Sequence, residues 1–292
     1  MISKGKESVD STFKLYAGVG SFQVIALNPG KEELQKLFPN RNIEEEPKYI
    51  GETEFEGGIK IPYVRLSFIV KTQLNDKDLI LEYPLMVYNT QRVSQAGKTQ
   101  VIDKYGRTCW VTAEQLANKE IPMYSNGPAS IDSDYRPCFR GEDAVTDFII
   151  AYLSIDSPQK YDPSSKKYVM RPAADLPQCE CRFDNITKWF TGDVSDVKET
   201  LTYQVDNKLK LCMGVKDVNG NLYNVFYTAM PMKNYITSFS QLDSHIKSSQ
   251  ASGMFPNQTF STKPLHEYTV EATDVPADAP ATINPDQPWG KK

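Results

Sequence analysis

Between Ile61 and Thr72 the chain alternates with a period of two. Val64, Leu66, Phe68 and Val70 fall on one side, and Tyr63, Arg65, Ile69 and Lys71 on the other. Successive side chains of a strand point to opposite faces, so the pattern specifies a half-buried β-strand. Asn75-Asp76-Lys77-Asp78 then reads as a turn, and Leu79 to Val93 as a second strand. Its inner side carries Leu79, Leu81, Tyr83, Leu85 and Val87; Glu82, Met86, Tyr88 and Arg92 point out. Pro84 cannot donate to a ladder, which places the middle of this strand at an edge or a bulge. Gln95-Ala96-Gly97-Lys98 turns the chain into a third strand, Thr99 to Thr112, with a bulge expected at Gly106.

Charge is unevenly placed. From Gly58 to Val111 eight Lys and Arg face four acids, in a chain whose formal net charge is −4. Two readings fit this face. One is a solvated sheet surface with cross-strand Tyr–Arg contacts. The other is a platform for single-stranded nucleic acid, with rings stacking on unpaired bases and cations tracking phosphates. The second assigns Tyr63 and Tyr88 to bases, and Arg65, Lys71, Arg92, Lys98, Lys104 and Arg107 to phosphates. Lys208 and Lys210 repeat the pattern further along, and Lys160, Lys166, Lys167 and Arg171 accompany Tyr161 and Tyr168 in a stretch from Ser157 to Pro177. The sequence pI of about 5.4 excludes a uniformly basic coat. Trp110, between Cys109 and Val111, reads as core, as do Trp189 and Phe190.

Around these segments the organisation is that of a β-rich domain with helices inserted. Gly18 to Asn28 reads as a strand, Lys31 to Phe38 as a short amphipathic helix, and Gly141 to Ile155 as the best helix. Ala113 to Cys138 reads as irregular, Asp193 to Thr200 as a short helix, and Ser238 to Ala251 as a surface helix. Lys208 to Lys216 and Asn221 to Thr228 form a hairpin about Asp217-Val218-Asn219-Gly220. The expected division is a flexible arm at residues 1–14, a domain at 15–260 with helical insertions over about 113–200, and an acidic, Pro-rich tail at 261–292. Either that tail is simply disordered, or it covers a cationic groove and offers Asp286-Gln287-Pro288-Trp289 to partner proteins.

Catalytic and metal chemistry finds little support. Only His245 and His266 could serve a nucleophile, and neither a Gly-x-Ser-x-Gly elbow nor a phosphate-binding Gly-rich loop is present. Cys179-Glu180-Cys181 puts two sulfurs on one face of a strand, a zinc half-site that lacks a clear second pair; buried inert thiols are the favoured reading. Five scattered cysteines suit a reducing cytoplasm. No apolar leader follows Met1 and no stretch has the roughly 20 apolar residues of a membrane helix. No catalysis, cofactor, metal or membrane contact is expected.

Three stretches resemble proteins of large tailed bacteriophages, the crAss-like group among them. They are Gly18-Val19-Gly20-Ser21-Phe22-Gln23-Val24-Ile25-Ala26-Leu27-Asn28-Pro29-Gly30-Lys31-Glu32-Glu33-Leu34, Ile102-Asp103-Lys104-Tyr105-Gly106-Arg107-Thr108-Cys109-Trp110-Val111, and Arg136-Pro137-Cys138-Phe139-Arg140-Gly141-Glu142-Asp143 leading into Tyr152-Leu153-Ser154-Ile155. The resemblance spans about residues 15 to 200. It implies a single-stranded DNA-binding protein of phage replication or recombination, working in the cytoplasm of the infected bacterium. The expected fold is mainly β with an OB-like antiparallel barrel. Replication proteins would be partners through the tail. The alternative is a virion structural or cargo protein whose β-domain makes subunit contacts.

Overall fold

The period-two segment forms the longest hairpin among the described residues. A computed structural model describes residues 14–55, 57–94, 96–103, 106–123, 127–130, 135–153, 159–170, 186–202, 208–228 and 239–269. In chain order the elements begin with β1 (Tyr16–Leu27), α1 (Lys31–Leu37), β2 (Ile50–Glu54), β3 (Lys60–Leu74), β4 (Lys77–Gln91), β5 (Thr99–Ile102) and β6 (Thr108–Val111). Next come α2 (Ala113–Ala117), β7 (Glu120–Met123), β8 (Gly127–Ser130), β9 (Arg136–Pro137), β10 (Phe139–Arg140), α3 (Glu142–Tyr152), β11 (Gln159–Asp162) and β12 (Lys167–Met170). The last are α4 (Ile186–Trp189), α5 (Ser195–Thr202), β13 (Lys208–Val218), β14 (Asn221–Phe226), α6 (Phe239–Ala251), β15 (Gln258–Phe260) and β16 (His266–Glu267).

An antiparallel sheet dominates, with strand order β10-β4-β3-β1-β13-β14; β2 adds to β3, β15 to β13 and β16 to β1. The protein is mainly β, as the alternation specified. The expected OB-like closure is not formed by the described residues: β10 and β14 end the path without pairing to each other. The turn between β3 and β4 is tighter than expected. Asn75 and Asp76 both have positive φ, 51° and 59°, as a two-residue hairpin turn requires. Leu74 and Lys77 therefore pair, and Lys77 and Asp78 belong to the strand. Asn219 and Gly220 make the same kind of turn between β13 and β14.

One face of the sheet is the core. Val64, Leu66, Phe68 and Val70 of β3 are buried with Tyr83, Leu85 and Val87 of β4, Phe22 of β1, and Leu209, Leu211 and Met213 of β13. Helix α3 lies on this face through Val145, Phe148, Ile149 and Tyr152. The Phe148 ring centre is 4.3 Å from that of Phe68 and 4.9 Å from that of Tyr83. Burying each such side chain stabilises the fold by about 1.5–3 kcal/mol. Helix α6 adds Leu242 and Ile246 to the same cluster. Trp189 is core, as expected, and its Nε1–H donates to Asp196 at 2.9 Å.

Several expectations are corrected. Thr99 to Thr112 is not a third strand of the main sheet. The chain reverses at Gly106 (φ 73°), and β5, β6 and β9 make a separate small sheet. Its core is Val101, Cys109 and Val111, whereas Trp110 is half-exposed on the other side. The stretch from Ala113 to Cys138 holds α2, capped by Thr112 and Gln115, and the β7–β8 hairpin. Within Ser157 to Pro177, residues 159–170 form the β11–β12 hairpin. Residues 263–267, expected in the tail, are held to β1: Val19 N–H donates to Lys263 O at 2.8 Å, Leu265 N–H to Val19 O at 3.0 Å, and β16 pairs with Tyr16 and Ala17. Residues 1–13 and 270–292, Arg171, Cys179 and Cys181 lie outside the described residues, whereas Lys14, the last residue of the expected arm, pairs with Glu267 at 2.8 Å.

Candidate nucleic-acid interface

Register sets the outer face. Across β10, β4, β3 and β2, Arg140 pairs with Tyr88, Tyr88 with Tyr63, and Tyr63 with Gly51. The Tyr63 and Tyr88 ring centres are 6.2 Å apart, and Phe55 meets Tyr88 edge-on at 5.5 Å. The Arg140 guanidinium lies 4.8 Å from the centre of Phe55 and 5.5 Å from that of Tyr88. Arg140 is exposed, and among the described residues no carboxylate pairs with it. Gly51 makes room for this row, since a Cβ there would sit 2.7 Å from Tyr63 Oη.

The position of Arg140 is fixed by its neighbours. Gly141 has φ 91°, and a Cβ on it would lie 2.0 Å from Met86 O, so the chain passes against β4 as only glycine allows. Glu142, fully buried, accepts from Arg136 Nη1 at 3.0 Å and from Phe139 N–H at 2.9 Å. That carboxylate clamps the corner between β9, β10 and α3.

Most of the expected phosphate contacts are committed elsewhere. Arg65 is paired with Glu82 at 2.6 Å, and Ser67 Oγ–H donates to the same oxygen at 2.5 Å. Arg92 is paired with Asp143, and its guanidinium lies 5.6 Å from the Trp110 ring. Arg107 is only 8% exposed, bonded to the buried Asp103 and set against Tyr135, so it cannot reach a strand on the surface. Lys71 pairs with Asp78 at 2.7 Å, in a geometry exposed enough for an anion to compete. Lys98 is exposed on the turn after β4, and Lys104 lies outside the described residues.

A second polar row crosses the sheet at its far end. Lys71 pairs with Gln23, Gln23 with Lys208, and the exposed Lys210 with Ser21. A groove of about 560 Å³ runs there between Ser21, Gln23, Lys71, Thr72 and Leu265. Tyr63 and Lys71 are eight residues apart on β3, or roughly 27 Å. The expected continuous face is broken between them. Ser67 and Ile69 are 1% and 0% exposed. The segment after β1 meets β3 there: Ser67 N–H donates to Asn28 Oδ1 at 2.7 Å, Asn28 N–H to Ser67 O, and Tyr49 Oη to Pro29 O at 2.8 Å. Burial, with Glu82 nearby, pushes the Tyr49 hydroxyl up to about 12.

A cleft of about 950 Å³ opens beside Arg140. Phe55, Tyr88, Arg92, Asp143, Asp147, Thr228 and His245 contribute to its walls. Ile59, Val93 and Met254, exposed by 62%, 56% and 47%, also line it. Arg140 and His245 were not among the residues expected from sequence. Arg140 lies in a two-residue strand with no visible alternation. His245 does not lie on a bare surface helix, but bonds through Nδ1 to Tyr227 Oη at 2.7 Å, and burial holds its pKa below the ordinary value. Eighteen residues separate that pair, so only the fold reveals it.

Among the described residues no group of three His, Cys, Asp or Glu could hold a metal ion, and no helix is long and apolar enough to cross a membrane. Cys212 is buried and its thiol is pushed up to about 12 by desolvation, so it is not a ready nucleophile. Compared with known proteins, the chain matches no family model, no curated protein and no solved structure.

Proposed function

We propose that the chain binds single-stranded DNA with little sequence preference and without catalysis, as a protein of phage DNA replication or recombination in the bacterial cytoplasm. The observation that carries this reading is the cross-strand row of Tyr63, Tyr88 and Arg140, which pairs with no described carboxylate. Aromatic rings stack on any base, and a guanidinium held among rings adds a cation without the cost of leaving a carboxylate. The strand would use the sheet in an OB-like way, with its bases at this row. Its phosphates would meet Arg140 and Lys98, and Lys71 or Lys210 at the far end. Replication proteins as partners through residues 270–292 are part of the same proposal.

With about three or four phosphate contacts, log K should fall with log salt at a slope of roughly −2 to −3. Fluorescence anisotropy of a labelled oligo-dT of about 30 nucleotides, with duplex competitor, tests the reading. Binding that prefers the single strand and weakens with salt is expected; no binding at low salt would sink it.

A second reading is favoured by Ile59, Val93 and Met254 at the cleft. Exposed apolar side chains gathered at one place suit a subunit contact of a virion structural or cargo protein. It predicts oligomers in sedimentation and no salt-dependent DNA binding.

A further inference from the structure

A chain of buried hydrogen bonds stands behind the cleft. Tyr227, fully buried just after β14, places Oη 2.7 Å from His245 Nδ1 and 2.8 Å from Ser249 Oγ. Its contact with the His245 carbonyl is longer, at 3.3 Å. Ser249 is 3% exposed, and among the described residues Tyr227 Oη is the one acceptor within reach of its hydroxyl.

Counting protons and comparing bond lengths favours one direction for the chain. If Ser249 donates to Tyr227 and Tyr227 donates to His245 Nδ1, every buried donor has an acceptor. The opposite tautomer, with Nδ1–H and the Ser249 hydroxyl both donating to Tyr227, leaves the Tyr227 proton only the 3.3 Å contact with the His245 carbonyl, a longer bond than the 2.7 Å one to Nδ1. The first order leaves the imidazole with its proton on Nε2. With Nδ1 occupied, Nε2 is the ring nitrogen that His245 offers to the cleft it lines.

We infer that His245 is a binding residue of the cleft, its Nε2–H donating to the acceptor edge of an unpaired base lodged there, with Tyr227 as the positioning residue that holds this tautomer. Asp143 and Asp147 line the same cleft. Asp143 is paired with Arg92, and Arg140 lines the cleft too, so carboxylates and guanidiniums meet there, which suits a base edge that carries donors as well as acceptors. A phosphate would meet the exposed Arg140 beside the base. This inference rests on the single-stranded DNA reading.

Nitrogen-15 NMR of histidine-labelled full-length protein at neutral pH reads the tautomer. A protonated Nε2 and a bare Nδ1, with the Nε2 signal moving on addition of oligo-dT, are expected. Anisotropy on two variants separates binding from folding. His245→Asn keeps an acceptor near Nδ1 for Tyr227 but is too short to place a donor at the Nε2 position; His245→Gln reaches towards that position. His245→Asn should weaken oligo-dT binding roughly three- to tenfold, with the salt slope unchanged because no counterion is released. His245→Gln should recover most of that loss. A proton on Nδ1, or wild-type affinity in His245→Asn, overturns the inference while leaving the DNA reading intact. Failure of the wild-type chain to bind oligo-dT at low salt overturns both.

Discussion

Arg140 lies directly across the ladder from Tyr88, its guanidinium 5.5 Å from the ring centre, and among the described residues no carboxylate pairs with it. Arg65, Lys71, Arg92 and Arg107 all have acidic partners. The aromatic row and its arginine therefore carry the binding proposal, and the basic residues counted along the sequence carry much less of it.

Arg140→Ala should weaken oligo-dT binding and reduce the magnitude of the salt slope by about 1. Arg140→Lys should not restore full affinity, because an ammonium lacks the planar group that stacks beside Phe55 and Tyr88. Binding titrations at several salt concentrations check both. Equal slopes for wild type and Arg140→Ala would remove Arg140 from the interface.

Arg107→Ala should leave the salt slope unchanged, since the side chain is buried with Asp103. Stability should respond instead. Asp103→Asn leaves a buried guanidinium without its charge partner, a loss of about 3–5 kcal/mol for such pairs. Urea denaturation measures it, and a variant as stable as wild type would show that the pair is not structural.

Gly141→Ala combines a positive φ with a Cβ placed 2.0 Å from Met86 O. The corner must move off β4, at a cost of more than about 2 kcal/mol. The same shift displaces Arg140, so affinity should fall with stability. An unchanged urea midpoint would contradict the geometry of this corner.

Burial lowers the pKa of His245 in the folded chain. The unfolded chain therefore takes up its proton first, as pH falls through about 6.5. The contribution of this group to stability is full above that value and declines as pH drops towards the lowered folded pKa. The urea midpoint should fall between pH 7 and pH 5, and fall less in His245→Gln. Parallel curves for the two proteins would mean that His245 is not desolvated.

Local patterns carried much of the fold in the sequence. The alternation in β3 and β4, the Asn219-Gly220 turn and the apolar stripe of α3 each specify their element through a short-range rule. What stayed hidden depends on long-range packing. Gly106 reads as a bulge within a strand, yet the chain reverses there, where a Cβ would meet Thr146 and Ile150 of α3. His266 and its neighbours look like tail because they have little apolar content; they are held by backbone pairing to β1, which composition does not reveal. Of the candidate site, Tyr63 and Tyr88 were legible because outward aromatics follow the strand period. The ion pairs that occupy Arg65, Arg92 and Arg107 were not, since a charge count cannot tell a free cation from a paired one.

The most direct test is the affinity of Tyr88→Ala for oligo-dT at fixed salt, with circular dichroism showing that the sheet is retained. Losing a stacked base costs about 1–3 kcal/mol, so affinity should drop roughly 5- to 150-fold. A folded Tyr88→Ala that binds oligo-dT as tightly as wild type would contradict the proposal that this row is where the strand lies.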